Sequence, residues 1–199
     1  MSRWSRRRVR PDGNGGFTVR LPAPERALLD SLPGPLDALL ARAADHDPTG
    51  PPTSDALARL LPPAYPRDDA AEAAYASAAR GDLVAGRRAA LATLRAVVSR
   101  GTATPDELAA TCGALNDLRL VLGTALDGSE EPTPVDPTDP TYPQWVCYGY
   151  LSALQDELVD VLTGDLPPPL PGADDEVPDD PWGEPLGGLR WDGTPRPEG

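Results

Sequence analysis

Lysine is absent from this chain, and all 18 basic residues are arginine. That excludes a P-loop lysine, a Schiff-base lysine and a lysine general base. There is one Phe, one Met and one His. His46 stands between Asp45 and Asp47, just before Pro48. A metal site there would need ligands from elsewhere, and any Ser–His or Cys–His nucleophile pair would have to recruit the same residue. A solvated loop position is the simpler reading, so no catalytic residue, metal or cofactor is assigned. Cys112 and Cys147 form neither a CxxC pair nor a disulfide framework. No stretch approaches the ~20 apolar residues of a membrane span. The basic start, Met1 to Arg8, has no apolar region behind it, so no signal peptide is read and a cytoplasmic setting is expected.

Proline and negative charge are abundant: 26 Pro and a net charge of −13. The charge is unevenly spread. Residues 1–20 balance at +5, residues 21–163 at −11 and residues 164–199 at −7. Most of the chain therefore repels nucleic acid and anionic membrane, and only the N-terminus attracts them.

Two units are expected: a domain over residues 1–163 and an acidic, Pro-rich tail over 164–199. From Asp165 onward there are nine prolines and nine acids. Too little apolar surface remains there to offset the entropy of ordering, so disorder is predicted. The domain is expected to be mainly α, an N-terminal β-hairpin packed on a bundle of about five to six helices. Phe17, Val19 and Leu21 alternate with polar residues, and the Gly-rich run from Pro11 to Gly16 supplies a turn. The first strand is placed over Ser5–Arg10. A two-stranded hairpin is marginal alone and must pack on something.

Helices follow. Leucines from Leu28 to Leu40 keep helical spacing across Pro33-Gly34-Pro35, giving two short helices or one sharply kinked one. Ser54 caps a short turn. Asp68 or Asp69 opens an Ala-rich helix, with a break expected at Gly81 and a new cap at Asp82. Thr104-Pro105-Asp106-Glu107 is a capping box with Pro at the first helical position. The helix it starts carries Leu108, Cys112, Leu115, Leu118, Leu122 and Ala125 on one stripe and should be central. Pro143 opens the last helix, with Cys147, Leu151, Leu154, Leu158 and Leu162 on one face. Gly164 ends it.

Three groups carry polar chemistry in this frame. Asn116, Asp117 and Arg119 sit in the broadest apolar helix, as a ligand pocket or, more simply, an Arg–Asp clamp between helices. Arg6, Arg7 and Arg8 are the one basic cluster and the possible nucleic-acid contact. Strand geometry splits them between two faces. Cys112 and Cys147 fall on apolar faces as small core residues. In an antiparallel pair their stagger is ~13 Å at about 1.5 Å per residue, beyond the ~7 Å Cα limit of a disulfide.

The runs Leu57–Tyr65, Gly113–Thr124 and Trp145–Leu151 resemble an actinobacterial family of unknown function. Genes of that family commonly sit beside the adaptor of the Clp protease. Some members are named oxidative-stress transcription regulators (AosR type). The resemblance spans roughly residues 3–163, and the block from Leu115 to Gly123 is specific to it. It implies a cytoplasmic, non-enzymatic regulator with a protein partner, a sigma factor or RNA polymerase, or else an accessory role in Clp-type proteolysis. A small-molecule-binding bundle is the third reading. The regulator name also implies a redox switch on a close N-terminal cysteine pair. Here Ser5 and Val9 occupy that stretch and the first cysteine is Cys112. Direct DNA binding is not expected, since no Arg-rich recognition helix is present.

Overall fold

A computed structural model describes residues 7–45, 47, 49–50, 52–126 and 136–164. Strands β1 (Val9–Pro11) and β2 (Phe17–Val19) pair antiparallel, with Val9 opposite Val19 and Arg10 opposite Thr18. Gly13 and Gly15 both take positive φ in the turn between them. Asp12 Oδ1 accepts the amides of Asn14 and Gly16, closing that turn. Val9 and Val19 point into the core.

The support that a two-stranded hairpin needs comes from a third strand that sequence gave no hint of. β3 (Thr102–Ala103) lies in the connection between two helices and pairs antiparallel with β2. Gly101, at φ 74°, makes the reversal that brings it there, and its carbonyl accepts the amide of Val19.

Six helices follow among the described residues. α1 (Ala23–Ser31) and α2 (Pro33–Ala44) abut with no loop, because Leu32 keeps helical dihedrals and still donates to Leu28. Two prolines lacking amide donors mark the junction. Ser54 caps α3 (Asp55–Leu60).

α4 (Asp69–Arg100) is one helix of 32 residues, and the break expected at Gly81 does not occur. A helical glycine costs only about 1 kcal/mol relative to alanine. Alanines surround it, and Arg80 and Arg87 are tied on either side, Arg80 to the Gly50 carbonyl and Arg87 to the Leu60 carbonyl. Asp68 caps the start by accepting the amide of Ala71. α5 (Pro105–Ala125) opens with the full reciprocal capping box of Thr104 and Glu107. α6 (Tyr142–Thr163) ends on Gly164 in the left-handed conformation.

α5 is central, packing on α3, α4 and α6, and one apolar core runs from the hairpin through all six helices. The inner arc of α5 differs from the expected stripe. Thr111, Ala114, Asp117 and Val121 are buried with the leucines, while Cys112 is half-buried and Ala125 exposed. Wedged between α4 and α6, α5 turns its arc toward α4 and leaves residues 112, 116, 119 and 123 on the rim beside α6. On α6, Val161 takes the inward place expected of Leu162, which is exposed. Residues 165–199, predicted to be disordered, lie outside the described residues, as do Arg6 and His46.

Candidate functional site

Asp117 and Arg119 do not pair with each other. Two residues apart on a helix, they point to opposite sides. Asp117, 3% exposed, binds the guanidinium of Arg87 on α4. Arg87 Nη2 also donates to the Leu60 carbonyl at 2.7 Å, so one side chain joins α3, α4 and α5. Burial pushes the Asp117 carboxyl up, and Arg87 pulls it partly back. An Arg–Asp tie between helices is present here, and its arginine is Arg87 rather than Arg119.

Arg119 faces α6. Its Nη1 donates to Gln155 Oε1 at 2.6 Å, and its guanidinium lies 5.3 Å from the centroid of the Tyr148 ring. Trp145 meets the same ring edge-on at 6.1 Å. The buried Nε of Arg119 has no partner among the described residues. Gly123 lies against this cluster, where an added Cβ would stand 3.5 Å from the Tyr148 ring. Asn116 and Cys112 are half-buried on the same rim. Burial raises the Cys112 thiol, while Gln155 and Arg119 draw it back. Cys147 is fully buried and its thiol is pushed up to about 12 by burial. Both thiols are free. Gln155, the neighbour of Cys112, stands eight residues past Cys147, ~12 Å along the helix.

A second polar cluster joins the hairpin to α1 and α6. Arg8 donates to Glu25 from Nε at 2.5 Å and from Nη2 at 2.6 Å, and its side chain is only 12% exposed. The Tyr150 hydroxyl donates to Glu25 at 3.0 Å. Glu157 accepts the backbone amides of Arg8 and Val9, covering the outer edge of β1. Burial raises the Glu157 carboxyl against these donors, and burial lifts Tyr150 well above its ordinary value. Arg8 is thus spent inside the fold rather than offered to nucleic acid. The bend just before β1 turns it inward, which strand alternation did not foresee. Glu25, Tyr150 and Glu157 were missed in the sequence. The signal was there: Glu157 interrupts the apolar spacing between Leu154 and Leu158.

Two small hollows are the best formed among the described residues. One has about 30 Å³ of free space between the 47–53 loop, α3 and Arg80; the other has about 10 Å³ under the hairpin. A small-molecule site occupies ~300 Å³ or more, and neither hollow is lined by Asn116, Asp117 or Arg119. No group of three or more His, Cys, Asp or Glu residues among those described is placed to hold a metal ion. No helix among them is long and apolar enough to cross a membrane.

Comparison with curated proteins finds no match, and comparison with solved structures finds none either. Residues 1–162, which span all the strands and helices described above save the last residue of α6, match a domain of unknown function, DUF2017, and the chain belongs to that family.

Proposed function

We propose that this is a non-enzymatic regulatory protein that acts by binding another protein through the outer face of α5 and α6. The observation that carries the reading is the Trp145–Tyr148–Arg119 constellation. All three are only partly buried, and they brace one another across α5 and α6, which pack closely together. Trp, Tyr and Arg held rigid at a surface are the residue types that dominate binding energy in protein interfaces. Exposed Asp156, Val159, Asp160 and Leu162 continue the face toward the end of α6. An apolar centre with acidic neighbours on a chain of net charge −13 suits a partner with a basic rim.

The resemblance to actinobacterial regulators of the AosR type favours a sigma factor or RNA polymerase as that partner, in oxidative-stress transcription. Clp machinery is the alternative that the gene neighbourhood of the family supports. The test is binding to purified sigma factor, polymerase and Clp adaptor, with wild type and Tyr148→Ala compared. We expect one of them to bind, with a loss of at least ~tenfold in Tyr148→Ala, equivalent to about 1.4 kcal/mol. Leu83→Ala, on α4, should bind as wild type does. The purified protein should give no DNA shift at about 150 mM salt, where weak phosphate contacts are screened. Equal binding by wild type and Tyr148→Ala would remove this face from the mechanism.

A further inference from the structure

Arg119 is partnered unlike the arginines around it. Arg8, Arg80, Arg87, Arg88 and Arg100 each hold a carboxylate, those of Glu25, Glu72, Asp117, Asp37 and Glu107 in turn. Arg119 holds none among the described residues. Its hydrogen-bond partners are neutral: Gln155 Oε1 at 2.6 Å and, at 3.5 Å, the Tyr148 hydroxyl. Most of its N–H donors are left without an acceptor. Nε is buried, so the donors open to an incoming group are those of Nη1 and Nη2. Asn116, one turn earlier on α5 and half-buried, makes no side-chain hydrogen bond among the described residues. Residues 21–163 balance at −11, so the domain has carboxylates in excess and still sets none against this cation. A cation partly withdrawn from water without a counter-charge is costly. Here it stands on an aromatic surface, beside the Tyr148 ring at 5.3 Å.

We propose that Arg119 binds one acidic side chain of the docking partner, with Asn116 as a second donor, and that this Asp or Glu lies between apolar and basic neighbours. The inference rests on the reading of the α5–α6 face as the docking surface and names what that surface recognises. A carboxylate is planar and accepts two parallel N–H bonds, which suits the terminal nitrogens of a guanidinium held in place by Gln155 and the Tyr148 ring. Trp145 and Tyr148 flank it and meet apolar residues on either side of the acid. Asp156 and Asp160, exposed on the same face, meet basic ones. Those two carboxylates also repel a nucleic acid or another polyanion, so a lone acid within a basic segment fits the face better than a phosphate does.

The experiment selects a random-peptide library displayed on phage against the immobilised full chain at about 150 mM salt. The wild-type chain should enrich peptides with one Asp or Glu flanked by apolar residues and by Arg or Lys. Arg119→Gln should lose the preference for the acid. Arg119→Glu should exchange it for Arg or Lys, a gain that only a folded chain can show. Arg88→Gln, which removes an exposed arginine on α4, should select the same acidic peptides as wild type. A selected peptide made synthetically should bind the wild-type chain ~tenfold or more tightly than its Glu→Gln or Asp→Asn counterpart. Inorganic phosphate at matched ionic strength should not displace it. No enrichment, enrichment without the acid, an unchanged acid preference in Arg119→Gln or Arg119→Glu, or displacement by phosphate would each overturn the proposal. The face itself is judged separately, by the binding of the purified proteins to Tyr148→Ala. A partner lost in Tyr148→Ala, with no acid selected by the wild-type chain, would remove this inference alone.

Discussion

Replacing Arg87 by alanine isolates the tie that holds three helices together. Arg87 is the side-chain partner of Asp117, whose side chain is 5% exposed while that of Arg87 is 27% exposed. Removing one member of a buried pair leaves an uncompensated charge, which costs ~3–5 kcal/mol. Water entering through the exposed quarter of the site discounts that figure, and the orphaned Leu60 carbonyl adds to it, so we expect ~3 kcal/mol. Against the ~5–15 kcal/mol of an ordinary domain, that is a large shift in the urea midpoint.

The loss should depend on pH. Burial raises the folded-state pKa of Asp117 above its unfolded value. The folded state then holds more protons, so stability from this group is fully present below the unfolded pKa and is lost as pH rises through the folded one. Without Arg87 that pKa climbs further. The deficit of Arg87→Ala should be largest near pH 8 and shrink toward about pH 4, as the carboxyl protonates. Adding Asp117→Asn, which removes the orphaned charge, should restore at least half of the loss. Arg88→Ala breaks only the exposed pair with Asp37 and should leave the midpoint unmoved. A loss in Arg87→Ala below ~1 kcal/mol, or a double variant no better than the single, would refute the reasoning.

Ending the chain after Gly164 should change the unfolding free energy by less than ~1 kcal/mol, because the Pro-rich acidic segment has too little apolar surface to bury. A larger change in the urea midpoint would place part of residues 165–199 in the core. Iodoacetamide at about pH 8 should label Cys112 well before Cys147, since Cys147 is buried and its thiol is pushed up to about 12. Peptide mapping after mild peroxide should find no link between the two, and a high yield of that bridge would contradict the α5–α6 register. Gly101→Ala should cost ~1–2 kcal/mol in thermal or urea melts, because φ is 74° and an added Cβ would meet the Val19 carbonyl oxygen at 3.3 Å. A neutral result would mean that the β2–β3 pairing yields without loss.

Local rules were legible in the residues themselves. Thr104-Pro105-Asp106-Glu107 needs nothing beyond its own turn to cap α5, and Gly164 stops α6 because it reaches a positive φ without strain. Leucine spacing placed α5 at the centre, since an apolar stripe that broad has to be covered on several sides. What lay beyond one element was decided only by packing. β3 is two residues long and exists because Gly101 swings Thr102 and Ala103 beside Phe17 and Thr18. Gly81 was read as a break, but the flanking helical turns are anchored through Arg80 and Arg87 to other segments. Asp117 and Arg119 were read as a clamp between helices, with nothing in the residues to name what lay across the interface. Arg87 and Tyr148, each about thirty positions away, took one residue each. Periodicity records which side of a helix is wet, because that depends on neighbours within two turns. The identity of the residue across the interface depends on how helices cross, and no short window of sequence contains that.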